Sequence, residues 1–204
     1  MLAVKTPSLY RTKFFRFLTT NDMPMQPTIE TARYILRPMI ATDAAGIFEL
    51  DSNPNVHLYL GNQPIKTMAE AEATVKYVQN QYVKHGIGRW AVVDKKTQEF
   101  VGWSGLKYEE YVRTDMNYYD LGYRLREKFW GKGIATETAK ASLAYGFQTM
   151  NLEEIFAGAH VENAGSNAVL QKVGLEHLET FIFDGEPHHW YRIRKRDWVS
   201  KNAI

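Results

Sequence analysis

The residues best placed to do chemistry are Lys128-Phe129-Trp130-Gly131-Lys132-Gly133, followed at once by Ile134 and Ala135 at the head of a run whose apolar side chains recur at helical spacing. Just before them, residues 118–125 alternate like a strand, so residues 118–147 read as a strand, a glycine turn and a helix. At such a junction the unpaired N–H groups of the helix start converge on one spot, and the positive end of the helix dipole reinforces them. A phosphate-bearing ligand is therefore predicted. Glycine at 131 and 133 allows close approach or a positive φ, and Lys128 and Lys132 can add charge.

Spacing separates the known designs for such a turn. A P-loop requires Gly-x4-Gly-Lys-Ser/Thr, but Lys132 is followed by Gly133 and Ile134, leaving no hydroxyl to hold magnesium. A dinucleotide loop asks for Gly or Ala where Thr136 stands, and the acidic candidates Glu153 and Glu154 open the next strand instead of closing it. What remains is a basic residue, two spacers, Gly, one spacer and Gly. A second polar run, Glu162-Asn163-Ala164-Gly165-Ser166-Asn167, precedes a short helical stretch that Gly174 ends, with Ser166 or Asn167 as the expected cap.

The elements that position these residues can be read in order. Residues 34–37 form a strand stopped by Pro38, and Thr42 is the expected cap of a helix through Phe48 and Leu50, broken at residues 51–55. A longer helix spans residues 68–85, with Ala71, Val75, Val78 and Tyr82 on one face and Gly86 and Gly88 at its end. Residues 90–93 and 100–106 make an antiparallel hairpin, residues 119–125 and 155–161 are further strands, and residues 178–183 and 188–193 close the chain as a hairpin across Asp184-Gly185. Ala135, Ala139, Ser142 and Gly146 form a strip of small side chains that lets the central helix lie close to the sheet; Glu137 and Lys140 fall on its outer side as a solvated pair.

Composition narrows the function classes. A length of 204 residues suits one domain, residues 28–204, preceded by residues 1–27 as an extension. That extension carries Lys5, Arg11, Lys13 and Arg16 beside Phe14, Phe15 and Phe17, and reads as an accessory arm, a transit-like segment or an early translation start before Met23 and Met25. With 25 basic and 23 acidic side chains there is no whole-protein field toward nucleic acid, and the basic run 192–196 reads as a solvated end. The lack of cysteine excludes an acyl-cysteine intermediate. No apolar run approaches the roughly 18 residues of a membrane span, and a cytoplasmic location is expected. His188 and His189 point to opposite faces of a strand, so no metal is expected.

The Lys128–Gly133 pattern resembles the acetyl-CoA pyrophosphate loop of the GNAT acetyltransferases, written Gln or Arg-x-x-Gly-x-Gly or Ala, with Lys128 in the first place. The run Asn163-x-x-Ser166-x-x-x-Leu170-x-Lys172-x-Gly174-Leu175 resembles the Asn-x-x-Ser-x-x-x-Leu-x-Lys-x-Gly-Phe block of the RimJ/RimL-like branch, the ribosomal-protein N-terminal acetyltransferases, and Lys195-Arg196-Asp197-Trp198 resembles that branch's ending. The resemblance implies an α/β GNAT fold: a mixed, mostly antiparallel, twisted sheet of about seven strands, splayed between the fourth and fifth, flanked by about four helices. It places a bulge in the fourth strand and lays the pantetheine arm in the gap, bonded to the backbone of Tyr123 and Leu125, with the pyrophosphate on the N–H groups of Gly131, Lys132, Gly133, Ile134 and Ala135 and with charge from Lys128 and Lys132. It assigns cofactor contact to Asn163 and Ser166, makes Ser166 the donor to the leaving thiolate, and makes Asp120 the candidate base, with Glu109, Glu110 and ordered water as rivals. The implied reaction is direct transfer from acetyl-CoA, with no metal, to a protein N-terminal α-amine. A polyamine, amino sugar or amino-acid derivative is the alternative acceptor, a non-catalytic acyl-CoA module the alternative class, and monomer or homodimer the expected state.

Overall fold

A computed structural model describes residues 26–202. The extension as far as residue 25 lies outside the described residues; Gln26 and Pro27 are seated on the domain. Gln26 donates from its carboxamide nitrogen to Gly88 O (2.7 Å) and accepts from Gly88 N–H (2.6 Å), while Pro27 O accepts from the Trp90 indole (2.7 Å).

The described residues build one sheet from β1 (Ile29–Glu30), β2 (Tyr34–Arg37), β3 (Trp90–Asp94), β4 (Phe100–Glu109), β5 (Tyr118–Leu125), β6 (Glu154–His160), β7 (Glu176–Phe183) and β8 (Glu186–Arg194). The spatial order is β1-β2-β3-β4-β5-β6-β8-β7. Every neighbouring pair is antiparallel except β5 and β6. Helices α1 (Ala44–Asp51), α2 (Pro54–His57) and α3 (Met68–His85) lie on one face, α4 (Ile134–Ala144) and α5 (Ala164–Lys172) on the other, and α6 (Lys195–Asn202) follows β8.

Alternation along the strands divides the core between the two layers. Leu36, Trp90, Leu106, Leu121, Ile155 and Ile193 pack with Ile134, Leu143 and Leu170 on the α4 side. Phe100 and Trp103 join Ile47, Leu50, Val75 and Val78 on the α3 side. The strip of small side chains does what its composition predicts as it runs from α4 into the turn beyond it: a Cβ on Gly146 would meet Ile155 at 2.7 Å and Leu106 at 2.8 Å. The helix itself stops at Ala144 and passes into a π turn, Tyr145–Thr149, that carries Phe147 into the core.

Against the expected sheet of about seven strands and about four helices, the described residues form eight strands and six α-helices. β1 has two residues, too few to show a period, and α2 is one turn, made by Asn53 capping Asn55 N–H (2.9 Å) with Pro54 at the first helical position. Two caps are corrected. Asp43, not Thr42, turns back onto the chain, accepting from Ile40 N–H (2.8 Å) while Arg37 grips its carboxylate. Asn163, not Ser166 or Asn167, caps α5, its Oδ1 accepting from Ser166 N–H (3.0 Å). Asn167 instead ties residues 160–163 down, donating to the carbonyls of His160, Val161 and Asn163. α3 is as expected, with a Thr67/Glu70 capping box and Gly86 at φ 69°.

Candidate active site

The sheet opens where its one parallel pair begins. β5 and β6 share a single register pair, Asp120↔Phe156, and beyond it the strands part. On its other edge β5 pairs with β4 without interruption from Gly102↔Leu125 to Glu109↔Tyr118, so the expected bulge does not appear in that pairing. This continuity fixes where the backbone points. Arg126 N–H donates to Val101 O (3.0 Å), toward β4; groups two residues apart along a strand face the same way. Residues 124 and 122 therefore also address β4, and the N–H groups of Tyr123 and Leu125 face the gap. Leu125 O, on that same side, is capped by the Trp130 indole (2.7 Å).

The glycine turn lies at the mouth of the gap. A short 3-10 turn, Glu127–Phe129, leads to Gly131 and Gly133, both at φ 72°, and Gly133 is the N-cap of α4. The first bond of the helical ladder runs from Glu137 N–H to Gly133 O (3.1 Å), so the N–H groups of Gly133, Ile134, Ala135 and Thr136 precede that ladder. Lys128 is otherwise engaged: its ammonium contacts the Glu99 carboxylate, which is held below the usual range first by this bond. Lys132 places its ammonium 5.4 Å from the centre of the Phe129 ring, and Arg33 reaches the same turn from the β1–β2 bend, donating to Lys132 O (3.0 Å). A cavity of 380 Å³ lined by Glu49, Asn53, Arg126, Glu127 and Lys128 opens beside the 3-10 turn, but Arg126 in it is already paired with Glu49 and Glu99.

Across the gap the structure joins two of the named residues through a side chain that the motif did not use. The Tyr123 hydroxyl donates to Ser166 O (3.1 Å) and shares a second contact with Ser166 Oγ (3.2 Å). Burial raises the Tyr123 phenol above its ordinary value, so it stays a hydroxyl donor at neutral pH. Asn163, Ser166 and Tyr123 thus form one group on the α5 side of the gap, next to the N–H groups of Tyr123 and Leu125.

Asp120 lies elsewhere. Its side chain leaves β5 on the α3 side, the opposite face from Tyr123, and holds the Arg89 guanidinium through Oδ2, while Arg89 also donates to Asp120 O (2.7 Å) and to Gly105 O. Burial pushes the Asp120 carboxyl up, against the pull of Arg89 and Lys107. The rivals are also paired: Glu109 with Lys107, and Glu110 with Lys84 and, at 3.4 Å, His85. The same face carries a group that the sequence did not single out. Asp51 accepts from Arg124 Nη1 (2.8 Å), with the His57 ring 3.7 Å away and both its nitrogens buried without a hydrogen-bond partner. Tyr59, two residues on, stacks on His160 at the end of β6 (5.3 Å), so the segment after α2 crosses to the far wall of the gap. Among the described residues no cluster of three or more His, Asp or Glu could hold a metal ion.

Residues 33–176 match the family model for the acetyltransferase (GNAT) domain. The chain belongs to the GNAT acetyltransferases. Two relatives agree. An uncharacterized N-acetyltransferase, YoaA of Bacillus subtilis, is 30% identical over 155 residues, 74% of this chain and 84% of its own length. The FsC-acetyl coenzyme A-N(2)-transacetylase of Aspergillus fumigatus is 31% identical over 191 residues, 85% of this chain and 79% of its own length. In fold the chain is similar to the structure of the ribosomal-protein-S5-alanine acetyltransferase of Vibrio fischeri, with TM-score 0.65 and 22% identity, covering 84% of this chain and 98% of that one. As a GNAT protein it is an acetyl-CoA-dependent N-acetyltransferase. No helix among the described residues is long and apolar enough to cross a membrane.

Proposed function

We propose that the chain transfers an acetyl group from acetyl-CoA to a protein N-terminal α-amine, as in the RimJ/RimL-like branch. The pantetheine arm lies along β5 in the gap, bonded to the N–H groups of Tyr123 and Leu125, and the diphosphate rests on Gly131, Lys132, Gly133, Ile134 and Ala135. The amine enters from the α3 side and attacks the thioester carbon; an N–H of β5 faces the developing oxyanion. As the C–S bond breaks, the sulfur takes a proton from the Ser166 hydroxyl, which Tyr123 holds in place, and Ser166 recovers a proton from solvent before the next turnover. Asn163 orients Ser166 by capping its N–H.

The observation that carries the choice of acceptor is that every sequence-named base is tied to a cation: Asp120 to Arg89, Glu109 to Lys107 and Glu110 to Lys84. An amine must be neutral to attack. An α-amine, with an ordinary pKa of about 7.7–8.0, is partly neutral near pH 7, whereas a lysine-like amine at about 10.4 needs a strong, free base. The site therefore suits the acceptor that asks least of its base. Asp120, with a single carboxylate oxygen on Arg89, stands on β5 at the Asp120↔Phe156 pair where the gap begins, and serves as the relay for the released proton. A small-molecule amine is the second reading, supported by a relative named spermidine N(1)-acetyltransferase in Escherichia coli, 25% identical over 174 residues, 83% of this chain and 82% of its own length.

Thiol release from acetyl-CoA tests both readings, with a free N-terminal peptide, the same peptide N-blocked but carrying lysine, and spermidine as acceptors. The free N-terminus is expected to give the highest kcat/KM. Turnover confined to spermidine or another small amine would overturn the first reading. Ser166→Ala is expected to lower kcat roughly a hundredfold, the low end for a positioned proton donor, with KM for acetyl-CoA close to wild type.

A further inference from the structure

Arg33 has no part in the chemistry above, yet it is the side chain most closely engaged with the glycine turn. It sits in the bend between β1 and β2, about half exposed. That bend is fastened from behind: Lys95 N–H donates to Arg33 O (3.0 Å), Lys95 Nζ to Thr31 O (2.7 Å), and Thr31 Oγ1 accepts from Tyr34 N–H (2.9 Å). From there Arg33 reaches more than ninety residues along the chain. Its backbone N–H meets Glu137 Oε1 (3.0 Å), Nε meets Glu137 Oε2 (2.7 Å), and Nη1 meets Lys132 O (3.0 Å).

We propose that Arg33 is a positioning residue for the diphosphate of acetyl-CoA, orienting the glycine turn through Lys132 O and keeping the Glu137 carboxylate away from the start of α4. The inference rests on the placement of the diphosphate on that turn. Two physical effects support it. The Lys132–Gly133 peptide is trans, so its C=O and N–H point in opposite directions. Arg33 holds the carbonyl outward and so turns the Gly133 N–H to the other side, with the N–H groups of Ile134 and Ala135 following it into the helix. Glu137, in the first turn of α4, carries a negative charge beside the donors that a phosphate needs. A carboxylate there competes for the helix start and repels the ligand. With both its oxygens bound by Arg33, the Glu137 carboxylate is fixed on the outer side and its charge is offset. Bonds from Thr31 and Arg33 hold this carboxylate below its usual value against the opposing effect of burial, so it is ionised when the enzyme works.

Two acetyl donors read the proposal: acetyl-CoA, and S-acetylpantetheine, which has the thioester and arm but no diphosphate. Arg33→Ala is expected to raise KM for acetyl-CoA roughly tenfold, equivalent to about 1.4 kcal/mol, with KM for S-acetylpantetheine and the melting temperature near wild type. Arg33→Ala with Glu137→Gln should recover part of the loss, because the uncompensated carboxylate is gone. An equal effect on both donors would make Arg33 a general structural residue and overturn the proposal, as would no effect on either. Gly133→Ala separates this failure from failure of the site itself. If Gly133→Ala raises KM for acetyl-CoA and Arg33→Ala does not, only the role of Arg33 is lost; if neither moves it, the diphosphate does not sit on the turn.

Discussion

At the scale of single residues, the α3 side of the gap is governed by burial. His57 is 7% exposed and Asp51 3%. Burial, aided by Arg124, lowers the pKa of His57, while Asp51 opposes the shift. The folded chain therefore holds His57 neutral more strongly than the unfolded chain does. Near pH 6 the unfolded state binds more protons at this residue, so the stabilising contribution is complete above the ordinary value of about 6.5 and is lost as pH falls below it. The wild-type melting temperature is accordingly expected to fall between about pH 7.5 and pH 5.5, and His57→Asn, which cannot titrate, should fall less over the same window. Parallel slopes would remove His57 from the account. This residue was not legible in the sequence. A histidine in a broken segment announces neither burial nor a carboxylate partner, because both depend on α1, α2 and β5 meeting.

At the scale of elements, local signals fared well and cross-chain signals did not. Apolar spacing and the terminal glycines specified α3, and the positive-φ glycines specified the turn before α4, since those signals lie within a few residues of what they determine. The direction of the Tyr123 and Leu125 N–H groups became readable once strand alternation was fixed by the β4 pairing. The Tyr123 phenol did not. Alternation assigns its face but cannot name Ser166, 43 positions away, as its partner. Arg33 and Glu137 are 104 positions apart, and the sequence paired Glu137 with Lys140 because only the near neighbour was in view. The Tyr123 contact has a measurable consequence, as it ties β5 to α5 across the gap. Tyr123→Phe keeps the ring in the core and deletes the hydroxyl. A loss of roughly 1 kcal/mol of stability is expected from one intramolecular hydrogen bond. If the phenol also holds the Ser166 hydroxyl in place for proton transfer, kcat should fall by more than a thermal-stability change alone explains, while KM for acetyl-CoA changes little. A variant with full kcat would reduce Tyr123 to a structural tie.

At the scale of the whole molecule, the sheet consists of two halves, β1 to β5 and β6 to β8, joined in register at Asp120↔Phe156 and by the shared core under α4 and α5. The opening costs backbone pairing along the lower part of β5, where Tyr123 and Leu125 aim their N–H groups at no neighbouring strand. On the proposed placement, a ligand running through the gap as an added strand would satisfy those groups and a diphosphate on the α4 start would satisfy others, so the same molecule would complete the sheet and close the helix end. Acetyl-CoA should bind the folded chain and not the unfolded one. At about 100 times its dissociation constant it would add roughly 2.7 kcal/mol, which for a domain of this size corresponds to a rise in melting temperature of about 5–11 °C. S-acetylpantetheine at the same multiple of its own dissociation constant should give a similar rise, because saturation and not the number of contacts sets the shift. At equal absolute concentrations the two should separate, with acetyl-CoA ahead, since only it carries the diphosphate proposed for the glycine turn. Salt should narrow that difference by screening the charges around the diphosphate. Equal shifts at equal concentration, insensitive to salt, would place the nucleotide end of the ligand away from α4 and leave the β5–β6 gap as the binding element by itself.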